Sequence, residues 1–348
     1  MRAWVIERFG PPDVLEQHPE VPVPRPGPGE VLVRVAAIAV ARTKDVAMRA
    51  GRPPFAPRVR LPHTPGTEHA GIVEQVGAGG DEALIGERVA VSAVLTCGAC
   101  VACRRGRQEA CSSFALVGVD RPGSYAEFVV VPAGNVYPVP GDVPLTHAAA
   151  LAANGPVARA QLEAGAVGPG SVVAVLGAAG ALGSTAASLA RHRGATVLAV
   201  DRLDAKSKLL AELPVDAVFD GEDPDLAARL REHTGGWGVD CVIDNLGLAP
   251  LWAAYRPALA TLGRIVVSGA IGRDPIPMEL LPFYLHSQSL IGVRTGNPAQ
   301  MRALWDDVRH GFRLPEAAVA TRPWTEMREA HALVEEGRAT GQTVLEVS

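Results

Sequence analysis

Along the first 150 residues, apolar positions come in short β-branched runs such as 31–35 and 89–91, punctuated by proline and glycine, most densely over 22–29. Runs of that length between such breakers predict strands. Another strand is predicted over 123–132, where Pro132 stops it. The texture changes near Ala148. The apolar run Val172–Leu176 leads through a Gly/Ala turn into a helical stretch at 184–192, then into a second apolar run at 196–200. That is a βαβ unit, for which a right-handed crossover is expected. Further strands are predicted at 217–219, 239–243, 264–267 and 290–293, alternating with helical stretches. Such alternation implies a parallel sheet covered by helices on both faces. Residues 301–348 read as two helical stretches and a final strand at 342–347. The predicted class is α/β, a β-rich unit plus a doubly wound parallel sheet, and 348 residues favour two domains over one core.

Composition adds exclusions. With 48% hydrophobic and 20% charged residues the chain can build a sizeable core, and large-scale disorder is not expected. A net charge of −4 gives no electrostatic reason to expect a nucleic acid or an anionic membrane as partner. The start lacks a long apolar stretch, and no apolar run reaches bilayer-spanning length, so a cytoplasmic protein is expected.

Four of the five cysteines, Cys97, Cys100, Cys103 and Cys111, fall within fifteen residues as C-x2-C-x2-C-x7-C. Four thiolates can close a tetrahedral zinc shell, and a closed shell is structural because it leaves no open position. Two disulfides or free surface thiols are the alternative. The two-residue gaps suit chelation better than bridging. Cys241, in the apolar run 239–243, reads as a small buried residue.

Gly177-Ala-Ala-Gly180-Ala181-Leu182-Gly183 lies between strand and helix, where a dinucleotide fingerprint belongs. Gly180 suits close approach of a pyrophosphate and Gly183 suits close helix packing, while Ala178 replaces the first glycine of the strictest form. Asp201 ends the next strand eighteen residues after Gly183, where a carboxylate accepts the ribose hydroxyls. Its charge opposes a 2′-phosphate and favours NAD over NADP. Arg202 pulls weakly the other way. An exposed capping acid is the plainer reading of Asp201.

With these features the chain resembles the zinc-type alcohol dehydrogenases of the medium-chain dehydrogenase/reductase superfamily over essentially its whole length. The resemblance rests on Pro65-Gly-Thr-Glu-His-Ala-Gly71, the cysteine lobe, Gly86-Glu-Arg-Val89, Ala126-Glu-Phe-Val129, the 177–183 loop and Val266-Val-Ser-Gly-Ala270. It implies a GroES-like catalytic domain (1–154 and 295–348, zinc lobe about 94–112) interrupted by a Rossmann domain (155–294), with the active site between them. It also implies a lysine partner for the ribose acid, here Lys206, one of three lysines in the chain. Homodimers or homotetramers are implied as well.

The catalytic zinc ligands of that family are missing. Their positions fall at Ala41 (or Arg42, if an insertion near Lys44 shifts the register), Thr67 and Ala153. None of these side chains is a zinc ligand. The expectation is one structural zinc and no catalytic zinc. Without a Lewis acid, oxidation of a simple alcohol is hard, whereas hydride addition to an electron-poor C=C spreads its charge. The leading expectation is therefore NAD(P)H-dependent reduction of a small enone or quinone. The alternatives are an alcohol or polyol dehydrogenase, and a redox-neutral enzyme or nucleotide-binding protein on the same fold.

By resemblance, Arg42 faces the pyrophosphate, Thr43 holds the relay hydroxyl position, Thr67 replaces a ligand, and Glu68 is an acid behind the site that binds a substrate amine or Arg42. If the segment is extended, His69 shares a face with Thr67 and is a candidate acid or base; a hydrogen-bonded structural histidine is the alternative. Asn154 is a candidate for orienting substrate, or simply a turn asparagine beside Gly155. Leu246, Ser268, Gly269, Ala270 and Val293 map to the nicotinamide wall.

Overall fold

The computed structural model describes residues 1–203, 207–272 and 274–348. The chain divides into two compact units: Met1–Ala153 with Asn297–Arg309 and Val319–Ser348, and Asn154–Gly296 with His310–Ala318.

The first unit is built on a seven-stranded sheet. Its strand order is Val319–Pro323, Gln342–Glu346, Glu30–Ala39, Glu68–Val76, Arg88–Val91 and Val136–Pro138, with Phe128–Pro132 also paired to Glu30–Ala39. The predicted strand over 123–132 therefore starts late, because Tyr125 and Ala126 instead pair with the edge at Ala3 and Trp4. Glu30–Ala39 is central and buried on both faces over much of its length, which is why it reads as a continuous apolar run. Val33, Val35, Ile38, Val73, Val89, Val91, Tyr125 and Leu345 fill the core. The helix Met327–Glu335 turns Met327, Ala330, His331 and Val334 inward, the spacing of one helical stripe.

The second unit is a six-stranded, wholly parallel sheet ordered Ala217–Asp220, Thr196–Asp201, Val172–Leu176, Val239–Asp244, Leu259–Val267 and Ser289–Gly292. In sequence terms this is 3-2-1-4-5-6, the Rossmann order, whose ligand crevice lies beyond the carboxyl ends of the strands. Its core holds Ala174, Leu176, Leu198, Val200, Val242, Tyr255 and Ile265. Cys241 is fully buried here, and burial pushes its thiol up to about 12, so it is inert at neutral pH.

One helix, Leu145–Ala164, carries Asn154, Gly155 and Pro156 in its interior. Asn154 is therefore a helical residue and not the turn asparagine that the neighbouring glycine suggested.

Candidate functional site

The cysteine lobe gathers its four thiols at the ends of two short helical turns. Cys100 precedes the helix Val101–Arg104, Cys103 lies within it, and Cys111 follows the turn Gln108–Ala110. All four sulfurs lie within 4.8 Å of one another, and none is disulfide-bonded. Cys97 and Cys111 Sγ are 3.6 Å apart, and Cys100 and Cys111 Sγ are 4.0 Å apart. A zinc–sulfur tetrahedron has an edge of about 3.8 Å, so the donor set fits. Backbone amides already favour the thiolates: those of Cys103 and Ser112 pull Cys100 down to about 5, and those of Ala99 and Cys100 lower Cys97. Burial and the neighbouring sulfurs push Cys103 up to about 12, a penalty that a central dication removes. Among the described residues this is the one convergent set of metal-capable side chains.

In the second unit, the candidate dinucleotide residues collect on the loops that follow the strands. Gly177 has φ 69°, and a Cβ at Gly183 would lie 2.0 Å from the Gly177 carbonyl oxygen. That contact lets the helix Ala181–His192 start hard against the first strand. Gly180, Ala181 and Leu182 are half-buried at its start, where amide N–H groups have no partner within the helix. Asp201 is buried; its Oδ2 accepts the Ala179 amide at 2.9 Å and its Oδ1 the Arg202 amide at 2.9 Å. The acid is thereby fastened to the glycine loop and is buried, not the exposed acid of the plainer reading. Lys206 lies outside the described residues.

On the far side of the loop, Leu246 packs over Gly177. Ser268 and Gly269 are half-buried, Ala270 is exposed, and the Val293 amide continues the sheet by donating to Val267. Asp244 escaped sequence analysis. It is buried, accepts the amides of Leu246 and Gly247 at 2.9 and 2.8 Å and the Tyr255 hydroxyl at 3.1 Å, and so sets the turn that presents Leu246. Only its place at the end of an apolar run signalled it.

In the first unit, Arg42–Val46 forms a π-helical turn. A π-turn accommodates one extra residue per turn, and here it leaves Asp45 buried. Asp45 is fully buried and staples the two neighbouring segments: Oδ2 accepts the Ala41 amide and Oδ1 the Thr67 amide, each at 3.1 Å. Burial, aided by the negative charge of Glu68, pushes Asp45 up to about 7. Two of the positions that resemblance assigns to zinc are thus held together, yet they carry a methyl and a threonine. The donor set does not fit a catalytic metal.

Arg42 and Thr43 are exposed, and Thr67 is buried with no partner for its hydroxyl. Glu68, almost wholly buried, pairs through Oε1 with Lys44 Nζ at 2.8 Å; Arg42 is not its partner. His69 lies inside the sheet between Ile38 and Val91, fully buried, with no partner on either ring nitrogen. Burial lowers it to about 3, so it is neutral and sealed; neither a substrate-facing acid–base role nor a hydrogen-bonded structural one matches this placement.

Comparison with known proteins agrees with this architecture. Residues 27–141 match the alcohol dehydrogenase GroES-like domain, and residues 181–309 match the zinc-binding dehydrogenase family. The chain is 30% identical to an NAD-dependent alcohol dehydrogenase of Sulfurisphaera tokodaii, over 99% of both chains. It is 32% identical to an L-threonine 3-dehydrogenase of Pyrococcus abyssi, over 72% of this chain and 71% of that one. A crystal structure of an NAD-dependent alcohol dehydrogenase superposes with a TM-score of 0.91 at 31% identity, covering 100% of both chains. The class is that of the two-domain oxidoreductases. The chain belongs to the medium-chain dehydrogenase/reductase superfamily, within its zinc-type alcohol dehydrogenase-like branch.

Proposed function

We propose that this protein transfers hydride between NAD(H) and the alcohol–carbonyl pair of a small molecule, with one structural zinc and no catalytic zinc. The observation that carries the cofactor is Asp201, a buried carboxylate tied to the glycine loop, which favours ribose hydroxyls and opposes a 2′-phosphate. Alcohol–carbonyl chemistry takes its support from the relatives, named as alcohol and threonine dehydrogenases. They favour it over the enone or quinone reduction expected from sequence. Family membership also makes the chain an oxidoreductase, which leaves no separate case for a redox-neutral enzyme.

Hydride addition to a conjugated C=C is the second reading, and one observation favours it: Ala41, Thr67 and Ala153 supply no Lewis-acid site. NADH oxidation measured against matched aldehydes, ketones, enones and quinones decides between the two. Turnover of saturated carbonyl compounds supports the first reading, and turnover confined to enones or quinones overturns it.

In this reading Gly180, Ala181 and Leu182 receive the pyrophosphate, with Arg42 as a further cation. Asp201 holds the ribose, with Lys206 as its proposed partner and Arg202 beside it. Leu246, Ser268, Gly269, Ala270 and Val293 form the nicotinamide wall. Thr43 is the accessible hydroxyl, and Asn154 orients the substrate. We also propose a homo-oligomer formed through the second unit. Leu280, Leu281, Tyr284 and Leu285 are each more than 60% exposed next to the edge strand Ser289–Gly292, an apolar patch of the kind that marks association. Unbridged thiols suit a reducing, cytoplasmic setting. No described helix is long and apolar enough to cross a membrane.

A further inference from the structure

We propose that Lys44 is the oxyanion anchor of this enzyme: its ammonium, held by Glu68, binds the substrate oxygen that a metal ion would otherwise hold. The inference rests on the hydride-transfer reading above and adds to it the group that takes the developing charge.

Three observations carry it. The π-helical turn Arg42–Val46 puts Lys44 beside the two segments where resemblance places metal ligands, and Asp45 staples those segments at Ala41 and Thr67. Lys44 Nζ lies 2.8 Å from Glu68 Oε1, and the Glu68 side chain is 3% exposed whereas that of Lys44 is 21% exposed. The pair is therefore built with its carboxylate inside and its ammonium partly open to incoming groups. An ammonium has three donors and Glu68 takes one, which leaves donors for an incoming oxygen. The remaining Glu68 oxygen, Oε2, is buried without a partner, so Lys44 is the cation this carboxylate is paired with.

The chemistry balances without a metal. In the reducing direction, hydride leaves reduced nicotinamide dinucleotide and forms a C–H bond at the carbonyl carbon. The C=O π pair moves to oxygen, which takes a proton from the Lys44 ammonium, and the amine regains a proton from water. The dinucleotide is oxidised and the carbonyl compound is reduced. A fixed cation at the developing alkoxide is worth most in a site of low polarity.

The test uses the full-length, zinc-loaded protein as Lys44→Met, Lys44→Arg and the double variant Lys44→Met/Glu68→Gln, which avoids stranding the Glu68 charge. Acetate and benzoate serve as oxyanion probes, with binding measured by calorimetry on NAD-saturated protein. Turnover is read in parallel with short aliphatic and aromatic aldehydes. The expectation is that both methionine variants lose about 100-fold in kcat and bind the carboxylates about tenfold more weakly. Lys44→Arg should retain carboxylate binding. Undiminished kcat in the double variant, carboxylate binding unchanged there, or no binding of either carboxylate to the wild type would each overturn the anchor. A wild type that turns over no carbonyl compound yet binds carboxylates through Lys44 would instead overturn the hydride-transfer reading and leave the anchor standing.

Discussion

The Asp201 carboxylate accepts the Ala179 amide at 2.9 Å, so the acid that ends one strand is locked to the glycine loop that follows its neighbour. Asp201 has two tasks on this account, shaping the loop and choosing the cofactor. Asp201→Asn keeps an acceptor for the amide but removes the charge. It is expected to weaken NADH binding by about tenfold while improving binding of NADPH relative to NADH. Fluorescence titration with both dinucleotides measures the ratio. An unchanged ratio would show that the charge does not select the cofactor.

Zinc content tests the cysteine lobe. Protein purified without added metal is expected to hold one zinc per chain. Cys103→Ser should lose that zinc and lower the melting temperature, because the sulfurs then crowd one another without a cation. Elemental analysis reads the first outcome and calorimetry the second. Two zinc ions per chain would mean that a second metal binds despite Ala41, Thr67 and Ala153.

Acid stability should depend on the two sealed histidines. Burial lowers His69 to about 3, and burial together with the Arg49 charge lowers His331 to about 3, whereas both titrate near 6.5 in the unfolded chain. The unfolded state thus binds more protons between those values, and stability is lost as pH falls from about 6.5 towards 3. Asp45 has the opposite sign. Raised from 3.8 to about 7, it gives stability that is full at low pH and is lost as pH rises through 7. Burial also lowers His63, so three buried histidines against one aspartate make the acid limb dominate. His69→Leu is expected to flatten the fall in melting temperature between pH 6.5 and 4.5. A slope equal to that of the wild type would remove His69 from the account.

The apolar patch on the second unit makes a prediction about assembly. Leu281→Glu together with Leu285→Glu places charge where two exposed leucines now stand. Sedimentation velocity should then show monomers in place of oligomers, with secondary structure unchanged. An oligomer that survives both substitutions would move the interface elsewhere.

The sequence carried most of the second unit because its strands are buried on both faces and read as plain apolar runs, as at Val172–Leu176 and Val239–Asp244. The cysteine spacing was equally legible, since chelation by consecutive short turns is a local matter. What sequence analysis missed lies in pairings across the fold. Lys44 gave no hint that it would meet Glu68, because their approach depends on the π-turn Arg42–Val46, which no sequence signal announces. Asp45 and Asp244 drew no attention in the sequence, because nothing in it announces a buried carboxylate: Asp45 ties the local Ala41 amide to the distant Thr67 amide, and Asp244 caps its own turn at Leu246 and Gly247. His69 misled for the opposite reason. Strand alternation offered a face for His69, but that side chain is fully buried in the sheet.

The strand Gln342–Glu346 sits inside the seven-stranded sheet, between Val319–Pro323 and Glu30–Ala39, with Glu346 opposite Ala37. During translation, Glu30–Ala39 therefore emerges some three hundred residues before the strand that completes its hydrogen bonding. In that interval the parallel sheet of the second unit, whose strands all lie between Val172 and Gly292, can form from contiguous chain. The order of synthesis thus leaves an unpaired strand edge waiting on the ribosome, and that nascent edge is where chaperone capture or aggregation of this protein would begin.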